Sequence, residues 1–92
     1  MTTLGEFTDM YINRVTVRRA ELEAETAHLD DAALRLLVLM ALAPKPHLHA
    51  EFSALCLAGE ATRAVALEVL AARQVAEGLR RDGTVARERS CA

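Results

Sequence analysis

The sequence predicts an all-α fold, a single domain of four helices, and three observations carry that prediction. The first is the stretch from Ala32 to Ala43, in which Arg35 is the one charge. A helix apolar on nearly every face must be covered on nearly every face, so the other segments are expected to pack around it. The second is spacing. Leu4, Phe7, Tyr11, Val15 and Leu22 recur three, four and seven residues apart before this stretch, as do Val65, Val69, Ala72, Ala76 and Leu79 after it. The third is composition. Hydrophobic residues make up 52% of the 92 positions, yet the aromatics are only Phe7, Tyr11 and Phe52. A core of Leu, Ala and Val suits closely packed helices better than a sandwich or barrel. A chain of this length forms one domain with a modest core.

The first helix is expected from Leu4 to Ala27. Thr3 and Glu6 stand three apart, as in a capping box, where hydroxyl and carboxylate each satisfy the other's backbone N–H. Arg18 fills one slot of its apolar stripe, and Arg19 and Glu23 are placed to pair one turn apart. The β-branched residues among Tyr11 to Val17 also fit a strand. Helix is preferred because no Gly or Pro separates them from the helix-forming Ala20 to Glu25. Asp30 is a natural N-cap for the second helix, with Leu29 and Leu34 at the hydrophobic staple positions. That helix ends at Ala43, because a proline disfavours helical geometry in the residue before it. Pro44-Lys45-Pro46 reads as a stiff, extended corner. A short third helix, Leu48 to Ala58, carries Phe52, Leu55 and Cys56 inward, and Gly59 is its expected C-cap. The fourth helix is expected from Glu60 to Arg81, its seam widened by Leu67 and Leu70. Gly78 sits near its end, where Arg80 and Arg81 suit the negative pole of the helix dipole. Asp82-Gly83 reads as a turn. The helical domain is thus placed at 1–84, followed by a flexible basic tail at 85–92.

Charge and cysteine usage narrow the function. The formal net charge of −2 supplies no global basic field for nucleic acid or an anionic membrane. Cys56 and Cys91 do not make a disulfide framework, which points to a cytoplasmic protein with reduced thiols. The N-terminus lacks the basic-then-apolar layout of a signal peptide. The apolar run Ala32–Ala43 falls short of the roughly 20 residues a bilayer span needs.

No constellation specifies an enzyme or a metal site. His47, His49 and Cys56, with His28 or Cys91 as a fourth ligand, match none of the paired zinc spacings, so the histidines read as exposed and no metal is expected. Cys56 lies in the apolar stretch Phe52 to Leu57 and reads as core packing rather than as a nucleophile. Glu21, Glu23, Glu25, Asp30 and Asp31 read as a solvated face and a helix cap. No catalytic residue and no cofactor is predicted.

Leu79-Arg80-Arg81-Asp82-Gly83-Thr84-Val85-Ala86-Arg87, after a corner, a short helix and a long helix, is similar to the winged helix-turn-helix pattern. In that family a recognition helix ends in a leucine, a turn glycine follows, and a strand with an alternating basic residue opens the wing. The resemblance rests on Leu79, Gly83, Val85 and Arg87. It implies a DNA-binding regulator with Glu60 to Leu79 in the major groove, Thr62 and Arg63 reading bases, and Arg80, Arg81 and Arg87 on phosphates. Against it stand the acidic Glu60 and Glu68 and the apolar Ala64 to Leu67 on the helix that would do the reading.

The preferred reading is a small non-enzymatic interaction module, an adaptor, chaperone-like protein or regulatory subunit. It acts through a homodimer or a helical protein partner. Helix two alone calls for about three neighbours, and only three other helices are predicted. Apolar surface is therefore expected to remain at Leu36, Leu39 and Met40 of helix two and at Val65, Val69 and Leu79 of helix four.

Overall fold

Each helix begins where the local sequence supplies acceptors for its first N–H groups, or a residue with no N–H to satisfy. In a computed structural model that describes residues 3–81, helix α1 spans Leu4–Glu25 and opens on the expected capping box. The Glu6 N–H donates to the Thr3 hydroxyl at 3.1 Å and the Thr3 N–H to the Glu6 carboxylate at 3.4 Å. Tyr11 to Val17 are helical. The Thr16 hydroxyl donates to the Ile12 carbonyl at 2.9 Å, so this β-branched stretch is satisfied within the helix. The helix stops slightly short of Ala27. The Thr26 hydroxyl and N–H both return to the Leu22 carbonyl, at 2.7 and 2.8 Å, and the Leu29 N–H closes a turn on the Thr26 carbonyl at 2.9 Å.

Helix α2 spans Asp31–Leu42, with the Asp30 carboxylate accepting from the Ala33 N–H at 2.7 Å. The expected extended corner is tighter than the sequence indicates. Ala43 and Pro44 form a turn and Pro46 is already the first residue of α3, Pro46–Leu57. Proline lacks the N–H that would be orphaned in the first turn, and its φ suits that position. The C-terminus of α3 is a Schellman motif. Gly59 has φ of 74°, its N–H donates to the Cys56 carbonyl at 3.2 Å, and the Glu60 N–H reaches the Leu55 carbonyl at 2.9 Å. Glu60 is therefore occupied in ending α3. Helix α4 spans Arg63–Arg81 instead of beginning at Glu60, and the Val65 N–H donates to the Thr62 hydroxyl at 3.2 Å.

The principal contacts are α1 with α4, α2 with α4, and α2 with α3. Helix α4 thus shares the central place that the sequence reading gives to α2. Leu34, Val38 and Leu42 put one stripe of α2 into the core, which Val15, Leu22, Phe52, Leu67 and Leu70 complete. Ala66 and Ala71 have no exposed surface, so neighbouring helices approach α4 closely at these small residues. The deepest face of α4 is Ala66, Leu67, Leu70 and Ala71, while Val65, Val69, Ala72 and Ala76 of the predicted seam are half-buried. The physical reason is that α4 is covered by both α1 and α2, which shifts the centre of burial toward them. The opposite flank of α2 stays open.

Among the described residues there is no strand, and no helix is long and apolar enough to cross a membrane. The turn at Asp82-Gly83, the wing residues and the tail at 85–92 lie outside the described residues.

Two glycines predict opposite signs for one substitution. Gly59 holds a positive φ, whereas a Cβ on helical Gly78 meets no atom within 4 Å. Gly59→Ala is expected to destabilise by about 1 kcal/mol and Gly78→Ala to stabilise by about 0.5–1 kcal/mol. Urea unfolding of the two variants beside the parent checks both.

Candidate functional site

The open flank of α2 is an apolar surface built from one turn of helix. Leu36, Leu37 and Met40 are 59%, 38% and 67% exposed. They fall together because residues one, three and four apart share a side of a helix whose other side, Leu34, Val38 and Leu42, is fixed in the core. Leu39 is half-buried and packs against that core. Arg35, the one cation in the run, extends to the Ala61 carbonyl at 3.5 Å and keeps its charge near the α3–α4 connection. The six predicted contact residues are therefore not one surface. Leu36 and Met40 share the α2 face, Val65 and Val69 are half-buried on α4, and Leu79 is 2% exposed and taken up by packing within the chain. Leu37, three residues before Met40, joins that face although it is not among the expected contact residues.

Val69 belongs to a second feature. A groove of about 370 Å³ opens where all four helices contribute, floored by Tyr11, Leu42, Phe52, Leu55, Val69 and Ala72. Its charged residues are Glu51, Arg73 and Arg80. The Tyr11 hydroxyl donates to the Ala72 carbonyl at 3.4 Å and ties α1 to α4 beside it. The Arg73 side chain is only 9% exposed, and its Nη2 donates to Glu77 at 2.6 Å. Its Nε is buried with no hydrogen-bond partner. An unmet buried donor costs about 1–3 kcal/mol. Arg73 was not anticipated; a charge one turn after Val69, beside the apolar seam, is the signal that could have marked it.

The arginines assigned to DNA divide. Arg63 is engaged within the chain. Its guanidinium donates to the Thr26 carbonyl at 2.6 Å, the Leu29 carbonyl at 3.0 Å and the Asp31 carboxylate at 3.2 Å. The Thr62 hydroxyl accepts from the first turn of α4. Arg80 and Arg81 are exposed at the end of α4, and Arg87 lies outside the described residues. Arg18 occupies its slot in α1 by donating to Gln74 at 2.6 Å and pairing with Glu25 and Glu21 at 3.0 and 3.1 Å. The hydrogen bonds it donates to Glu25, then to Glu21, hold its guanidinium above its ordinary pKa. It takes this role in place of the expected Arg19–Glu23 pair, because its position faces α4.

His47 and His49 sit in the first turn of α3, and two residues on a helix point about 200° apart. They therefore do not converge as they would on an extended segment. Cys56 is half-buried against the core. Among the described residues no three His, Cys, Asp or Glu side chains come together as a metal site. Comparison with protein-family models, with curated proteins and with solved structures finds no match.

The Arg63 geometry makes a stability prediction. Arg63→Met leaves two carbonyls and a carboxylate without their donor, and a loss of about 2–4 kcal/mol is expected. Arg63→Lys should not restore it, because an ammonium cannot span three acceptors as a planar fork does. Thermal and urea unfolding of both variants measures the difference.

Proposed function

We propose that this chain is a non-enzymatic interaction module whose contact is the exposed face of α2, and that a second copy of the chain covers that face. The observation that carries the reading is the exposure of Leu36, Leu37 and Met40 side by side. Large apolar side chains grouped on a helix lose free energy to water until a surface of similar character covers them. The face holds no charged group, since Arg35 is turned toward Ala61. A charged partner would leave its own groups unpaired there, whereas an identical apolar stripe leaves none. A two-fold axis sets stripe against stripe, the commonest form of self-association.

Magnitudes indicate a weak dimer. Burying a large apolar side chain is worth about 1.5–3 kcal/mol, and these three are already partly covered. Lost translational and rotational freedom cancels at least about 4 kcal/mol and leaves at most about 6 kcal/mol, so a Kd on the order of 0.1–1 mM follows. A contact of this strength responds to concentration, which suits a regulatory subunit better than a permanent scaffold.

Sedimentation equilibrium between about 1 μM and 1 mM is expected to show a monomer–dimer transition centred in the Kd range above. Leu36→Glu and Met40→Glu each place like charges across the two-fold axis and should leave a folded monomer throughout. A parent protein that stays monomeric at the highest concentration, or a dimer indifferent to both substitutions, rules out α2 as the contact.

A further inference from the structure

We propose that the four-helix groove is a binding site for an amphipathic small molecule with one carboxylate head and an unbranched apolar body. The head sits at Arg73 and the body folds onto the apolar floor of the groove, because along α4 Arg73 stands only about 6 Å from Val69 and about 10 Å from Arg80. Volume comes first. About 370 Å³ lies in the range of small-ligand sites and is too little for a folded partner. The groove follows α4 from Val69 to Arg80, about 16 Å at the rise of an α-helix. Ala72 and Ala76 keep that wall low, and Phe52 and Leu55 face it from α3. An open apolar floor with charged walls suits a flexible unbranched chain, which can fold to its shape, better than a rigid fused ring.

The polar groups then fix the head. Arg73 is nine-tenths buried in the wall, and its Nε has no partner. Its guanidinium has five N–H donors, and Glu77 is the acceptor it is given. Arg73 lines the groove with N–H donors to spare beside its bond to Glu77, and a carboxylate is the acceptor that a guanidinium favours. Arg80 lies two turns further along the same side of α4 and adds a second positive charge. Two arginines and one carboxylate, Glu51, line the groove, and Glu77, which pairs with Arg73, is not part of the lining. The single negative charge of the ligand is set by Glu51, which opposes a doubly charged head. A cationic head meets two like charges and finds one partner.

The probe is dodecanoate, kept below its micelle concentration, with dodecylammonium and dodecanol as matched controls. Titration calorimetry is expected to give one dodecanoate per chain, bound about tenfold or more tighter than either control, the worth of one charge-assisted hydrogen bond. Methyl NMR should move Leu55 and Val69 and leave Leu36 and Met40 in place. Arg73→Met is expected to remove the preference for the carboxylate while dodecanol binding is kept. Ala76→Leu, which fills the channel and leaves both arginines intact, should abolish binding. If Arg73→Met does not fold, Arg80→Gln serves in its place, with a severalfold loss specific to dodecanoate. Equal affinity for dodecylammonium, chemical shifts confined to the α2 face, or full binding to Ala76→Leu each overturns the proposal. None of these results depends on whether the chain dimerises.

Discussion

The contact on which the rest of the structure depends is the Arg63 guanidinium. It gathers the Thr26 and Leu29 carbonyls and the Asp31 carboxylate, and so ties the start of α4 to the corner where α1 becomes α2. The main helical contacts of α1 and α2 are with α4 and not with each other. The corner between them therefore needs a separate anchor, and backbone carbonyls turned inward at a helix end need donors. One planar cation meets both needs. An apolar residue at position 63 would leave these carbonyls without a donor, however well the leucines packed.

With that corner fixed, α4 is clamped between α1 and α2, and its small residues set the spacing. Ala66 and Ala71 are wholly covered. Close approach on this side leaves the bundle short of cover elsewhere, and the shortage appears in two forms. On α2 it is a convex stripe, Leu36, Leu37 and Met40. Among the four helices it is a concave groove. A ridge and a hollow in one small domain invite different occupants, since a ridge is covered by another ridge and a hollow by something that fits inside.

What was legible in the sequence was chemistry over three or four residues. Thr3 with Glu6, Asp30 with Ala33, and Gly59 at a positive φ each work through backbone groups within one turn, so the local string determines them. Contacts made across the fold were not legible. Pro46 reads equally as a corner or a first helical residue until the path of the chain is known. Arg18 prevails over Arg19 as the ion-pairing residue because Gln74 is within reach, and that distance is tertiary. The face of α2 that lacks a neighbour was legible in part: Leu36 and Met40 were expected there, whereas Leu39 packs on the core and Leu37 takes its place, because every face of Ala32–Ala43 is apolar enough to be buried. The groove was hidden because its lining comes from four helices, although the charge at position 73, beside the apolar seam, could have marked it.

The helices are not held equally. Helix α1 is secured along α4 by its packing, by Tyr11 and by Arg18, while α3 has α2 as its principal neighbour and Phe52 as its one buried side chain. It is bounded by a proline turn and by a glycine, and the glycine supplies a ready pivot. Such an element opens at a lower free energy than the domain unfolds. The amides of α3 are therefore expected to exchange with solvent ahead of those of α1, α2 and α4, and such an excursion is the route by which water would reach the interior beneath Phe52.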